Sequence, residues 1–123
     1  MKLIFLLGIL LCGLSVIMGA FGAHALKGKL SEYSMDIFNK AVLYQMFHST
    51  AVIFVVILNQ LFNTTQFNIC GWIFIIGIVL FSGSLFLLSI TDIKLLGAVT
   101  PIGGVLFIIG WAILFYLVFK LEI

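Results

Sequence analysis

The sequence predicts an all-α fold, a bundle of four transmembrane helices with an amphipathic interfacial segment leading into the second. Three observations carry this. Hydrophobic residues make up 64% of the chain and charged residues only 8%, against about 25% charge in a typical soluble domain. The apolar residues fall into four runs, each close to the ~20 residues that cross a bilayer as a helix. The few charges gather between these runs and at the chain ends. So little charge cannot cover the molecule in water, so lipid is expected to be the solvent for most of its surface. The 123 residues suit one transmembrane domain, with spans at about 3–23, 41–62, 67–90 and 101–119 and the amphipathic lead-in at 31–40.

The first run has no charge between Lys2 and Lys27. With Ala23-His24-Ala25 after it, it imitates a secretory signal, but typical signal cores are about 7–15 residues. A retained first span is expected. Its small residues Gly8, Cys12, Ser15, Gly19 and Gly22 recur at steps of three and four. They form one helix stripe, the kind of surface through which helices approach closely in lipid.

A short polar turn follows, with Gly28 between Lys27 and Lys29. Ser31 fits a helix N-cap, and Glu32 sits favourably in the first turn. From Ser31 to Phe62 there is neither Gly nor Pro. Glu32, Asp36, Asn39 and Lys40 line one side of its opening, while Leu30, Tyr33, Ile37 and Ala41 line another. This is an amphipathic lead-in at the membrane surface. A continuous helix here would be roughly 48 Å long, exceeding the ~30 Å hydrocarbon core, and must project, tilt or bend.

Asn63 to Gln66 make a tight uncharged loop. Trp72, near the start of the third run, suits an interfacial position. Ser82, Gly83 and Ser84 interrupt its aliphatic sequence. Thr100-Pro101 reads as an N-cap followed by proline at the first helical position. Gly103 and Gly104 then offer a packing surface on span four, Trp111 reads as a mid-span packing residue, and Lys120 and Glu122 close the chain in water. Cys12 and Cys70 have no metal-type spacing. Their expected depths differ by roughly 10 Å at ~1.5 Å per residue, beyond the ~7 Å a disulfide bridges, so small packing roles are expected. An even number of spans puts both termini on one side. Lys2 and Lys120 lie there, opposite Lys27, Lys29, Lys40 and Lys94. The positive-inside rule then places both termini outside a cell membrane.

Two segments carry a family resemblance. One is Gly19 to Leu26 (GAFGAHAL), continued by Ala41 to His48 (AVLYQMFH). The other is Leu80 to Phe86 (LFSGSLF), followed by Thr100 to Gly104 (TPIGG) and Gly110-Trp111. Together they resemble the small multi-pass membrane proteins of uncharacterised protein family 0382, also called domain of unknown function 423, over almost the whole chain. The resemblance implies a bacterial cell-membrane protein with relatives in animals. It implies no reaction and brings no catalytic residues.

Among candidate sites, His48 stands out because an ionisable group within a span is costly and often functional. Tyr44 lies one turn before it on the same face, with Gln45 nearby, and together they form a candidate intramembrane polar site. A neutral His48 bonded to Ser15, Ser82, Ser84 or Gln45 is the structural expectation. A proton or ligand role is the functional one, since histidine titrates near neutral pH. His24, Lys27, Lys29 and Lys40 are expected at the interface, where the lysines can attract anionic headgroups. Two histidines are too few for a zinc site, which usually takes four ligands, and no haem motif accompanies them. No cofactor or metal is expected. Ser82, Gly83, Ser84, Gly103 and Gly104 are expected to pack spans three and four. The chain has only four acidic residues and no nucleophile motif, so no catalytic residue is assigned. A net charge of +2 offers little to nucleic acid. The expected function is non-enzymatic, through helix packing or contacts with the lipid bilayer, a membrane partner or a second copy. The alternative is an oligomeric small-solute or proton transporter or channel component with a polar path near His48.

Overall fold

The computed structural model describes residues 1–121; Glu122 lies outside them. Within these residues it is all helical, as expected: α1 (Lys2–His24), α2 (Glu32–Leu61), α3 (Asn68–Thr91), a short 3-10 turn (Lys94–Ala98) and α4 (Thr100–Phe119). All four α-helices are long and apolar enough to cross a membrane. In lipid such helices satisfy their own backbone amides, which is why apolar runs of this length fold this way.

Local chemistry sets the helix ends. Gly28 adopts φ 78° in the α1–α2 turn, a left-handed conformation glycine enters without a Cβ clash. The Ser31 side chain accepts a hydrogen bond from the Ser34 amide at 3.1 Å and caps α2. From there α2 runs unbroken for 30 residues, about 45 Å at ~1.5 Å per residue. The amphipathic lead-in and the span are therefore one rod. Along the lead-in Ile37 and Phe38 are buried, whereas Asp36 and Lys40 are exposed and form a 2.8 Å ion pair. That partner, by hydrogen bond and charge, raises the Lys40 ammonium above its ordinary pKa. Asp92 ends α3 at φ 55°, its amide donating to the Leu88 carbonyl, a left-handed cap that aspartate tolerates.

α2 and α3 form the centre. α1 lies against α2, α4 against α3, and α1 only grazes α3. The main core joins Ile4 of α1, Val52 and Val55 of α2, Phe74 and Ile78 of α3, and Phe107 and Leu114 of α4. Glycine permits these approaches. A Cβ at Gly22 would stand 2.5 Å from the Phe38 ring, at Gly71 2.8 Å from Ile4, at Gly77 2.6 Å from Phe107 and at Gly110 2.6 Å from Phe74. All are far inside the 3.5–4.0 Å of a carbon–carbon contact.

Asn59 clasps the α2–α3 hairpin. It is 1% exposed, donates to Asn68 Oδ1 at 2.9 Å, and accepts the Phe67 amide at 3.1 Å. That amide is among the first, otherwise unpartnered donors at a helix start. The start of α4 departs from expectation. The Thr100 hydroxyl does not cap the helix. It meets Ser84 Oγ at 2.7 Å instead, because close α3–α4 packing gives it a side-chain partner.

Candidate functional site

The residues expected to form one polar site separate in space. Neighbours along a helix point about 100° apart, at 3.6 residues per turn. Gln45 is buried toward α1, where its amide donates to the Leu11 carbonyl at 3.0 Å. Tyr44 and His48 face α3 and α4. Tyr44 stacks on Phe81, with centroids 4.4 Å apart.

His48 is held on three sides. Its Nδ1 lies 2.9 Å from the carbonyl of Tyr44, one turn back in α2. Its Nε2 lies 3.2 Å from Trp111 Nε1 of α4. Its ring stacks on Phe107 at 3.5 Å between centroids and 8° between planes. A carbonyl only accepts and an indole nitrogen only donates. The neutral ring therefore donates from Nδ1 and accepts at Nε2. A second proton would set an N–H on Nε2 against the indole N–H. None of the four partners expected from sequence is used. Trp111, read as a packing residue, is the donor. Depth was the available clue. His48 lies eight residues beyond Lys40 and Trp111 eleven beyond Thr100, about 12 and 16 Å below the same face. Phe107 and Asn59 also stand among the structural determinants, and only the fold reveals their roles.

α2 and α4 meet through these side chains rather than by close backbone approach. A crevice remains between them, with the Trp111–His48 bond crossing it as a strap. Toward the Lys40 end, a hollow of about 600 Å³ is bounded by Tyr44, His48, Phe81, Pro101, Gly104 and Ile108. A second hollow, of about 530 Å³, runs along the outer face of α2 past Trp111 and is bounded by Leu43, Met46, Phe47, Thr50, Phe54 and Trp111.

The expected packing residues sort as follows. A Cβ at Gly8 would meet Val52 at 3.0 Å, and one at Gly103 would run into the Phe81 backbone. Gly19 stands at 3.4 Å from Val42 on the same measure. Cys12 Sγ lies 3.1 Å from Ser49 Oγ, Ser15 bonds the Leu11 carbonyl, and Ser84 bonds Thr100. Ser82 is fully buried, and its hydroxyl has no hydrogen-bond partner among the described residues. Two positions correct the expectation. Gly83 looks into open space, because it lies about 100° round the helix from both Ser82 and Ser84, which are buried on opposite sides of α3, and Gly104 makes only an ordinary 3.7 Å contact with Phe81. Cys12 and Cys70 are free thiols. His24 is the last residue of α1, and Lys27, Lys29 and Lys40 are exposed. Among the described residues no three His, Cys, Asp or Glu side chains cluster to hold a metal.

The family model described as "Protein of unknown function (DUF423)" matches residues 18–104. The chain belongs to the DUF423 family. This DUF423 protein is 48% identical, over 98% of both chains, to a UPF0382 membrane protein of Staphylococcus haemolyticus. It is 47% identical, again over 98% of both, to one of Staphylococcus aureus. To one of Staphylococcus saprophyticus it is 45% identical over 98% of this chain and all of the relative. No solved structure matches it. It is an integral membrane protein of an uncharacterised family, and nothing in these family descriptions indicates catalysis.

Proposed function

We propose that this protein acts without catalysis in the cell membrane, through lateral contacts of its helix bundle with lipid or partner helices, with both termini outside. The observation that carries this reading is the closed hydrogen bonding of His48. Both ring nitrogens are engaged inside the bundle, by Tyr44 and Trp111. A proton or ligand could use the ring only by breaking one of these bonds. The tightest glycines are likewise filled by the chain's own side chains and backbone. The outward surface is rich in large apolar residues, such as Leu10, Val16, Val79, Ile108 and Phe115, and that is where external partners have access.

Site-specific photocrosslinking in native membranes, from Val16 on α1 and Ile108 on α4, tests the reading. Adducts with lipid, a partner or a second copy are expected. Solute or proton flux in proteoliposomes that disappears in His48→Ala would overturn it in favour of the transport alternative. Labelling of single cysteines at Lys29 and Gln66 with a membrane-impermeant maleimide tests sidedness. Position 66 is expected to react from outside and position 29 only after lysis; the reverse pattern refutes the proposed orientation.

A further inference from the structure

We propose that the crevice between α2 and α4 is a binding site for one acyl chain of a membrane phospholipid, drawn from the leaflet on the Lys40 side. The proposal rests on the lateral-contact reading above and deepens it by naming the ligand.

Length is the first argument. Along α4 the crevice runs from Pro101 to Trp111, about 15 Å at ~1.5 Å per residue. Half of a ~30 Å hydrocarbon core is about 15 Å, the depth of one leaflet. The crevice also begins where a leaflet begins. Its upper end holds Tyr44 and Pro101, one helical turn from exposed Lys40 and at the second residue of α4.

The lining selects a flexible chain over a helix. Helices that associate in lipid use small residues so that their backbones approach. Here Gly104 stands among Tyr44, Phe81, Val105, Ile108 and Trp111, and their bulk would hold a helix backbone away. A hydrocarbon chain can follow this uneven floor down to the Trp111–His48 strap, and it restores dispersion contacts that a void would forfeit. Tyr44 adds an amphipathic group at the upper end. Its ring can cover the chain while its hydroxyl suits an ester or headgroup oxygen. On the same side Lys27, Lys29, Lys40 and Lys94 outnumber Glu32, Asp36 and Asp92, which favours an anionic lipid.

The test uses the full chain in detergent with Trp72→Phe, leaving Trp111 as the only tryptophan. Phosphatidylglycerol with dibrominated acyl chains is titrated in, and tryptophan quenching is followed. The expected result is a saturable single-site curve, reversed by unbrominated phosphatidylglycerol. Adding Val105→Phe or Gly104→Leu, both on the α4 wall, is expected to abolish the saturable component. Circular dichroism identifies any variant that fails to fold, and the folded one decides. Quenching that only tracks the bulk mole fraction of brominated lipid overturns the proposal, as does a saturable component that survives in a folded variant. Either result leaves the lateral-contact reading standing if the photocrosslinks form, so the two failures are distinguishable.

Discussion

Replacing Trp111 with Phe keeps most of the ring bulk and removes the only polar link from α4 to His48. The loss can be sized from the geometry. The bond is 3.2 Å long, and the acceptor belongs to a residue only 4% exposed. An orphaned buried acceptor costs about 1–3 kcal/mol in general. Interhelical hydrogen bonds measured in membranes average about 0.6 and reach about 1.7 kcal/mol, because the unfolded chain in lipid finds other partners. Trp111 is itself 37% exposed, so the membrane values set the scale and about 1 kcal/mol is expected. A double-mutant cycle with His48→Phe isolates the pair. The bond from Nδ1 to the Tyr44 carbonyl is lost in both legs that carry Phe at position 48, so it cancels. The assay is reversible unfolding by sodium dodecyl sulfate in mixed micelles, followed by circular dichroism. A coupling of about 0.6–1.7 kcal/mol is expected. A value below about 0.3 kcal/mol, the scatter of independent sites, would refute the strap as an energetic link between α2 and α4.

Other substitutions probe the remaining supports. Gly110→Ala and Gly77→Ala would each force a methyl group to 2.6 Å from a buried phenyl ring, and each should cost about 1–3 kcal/mol in the same unfolding assay. Gly83→Ala meets nothing within 4 Å and should be neutral or gain up to about 1 kcal/mol from helix propensity; equal losses at positions 83 and 110 would contradict the packing described. Asn59→Ala strips the hairpin clasp from the Asn68 side chain and the Phe67 amide. A loss of about 1–3 kcal/mol and faster proteolysis near Thr64 are expected, whereas unchanged cleavage would remove the clasp from the account. The Asp36–Lys40 pair supplies the pH dependence. Lys40 is raised above its ordinary 10.5 in the folded chain, so while Asp36 is ionised the pair's stabilisation is complete below that value and fades as pH climbs through the folded pKa. Nuclear magnetic resonance titration of the Lys40 side chain in micelles should show the shift, and Asp36→Asn should abolish it.

Apolar content and run length by themselves determined the helical class and the four spans. Lipid leaves a backbone few ways to satisfy its amides, so about twenty uncharged apolar residues allow little besides a helix. The cap at Ser31 and the turn at Gly28 were equally legible, because capping and turn chemistry act over a few neighbouring residues. The stripe from Gly8 to Gly22 was visible through its helical period, since residues three and four apart share a face. What periodicity could not supply was the neighbour on that face. Gly71, Gly77 and Gly110 take their roles only from Ile4, Phe107 and Phe74, which the fold lays against them. Gly83, one residue from buried Ser82 and Ser84, turned to open space, because a single residue rotates a side chain by about 100°. Gln45 and His48 were close in sequence, but the bundle sent one to α1 and the other to α4. The pairing of His48 with Trp111 joins residues 63 apart. It depends on which helices sit beside each other at equal depth, and no local pattern encodes that arrangement. The crevice is a product of the same choice. α2 and α4 both pack on α3 while large aromatic side chains bridge the distance between them, so tertiary packing alone left a hollow there for the membrane to fill.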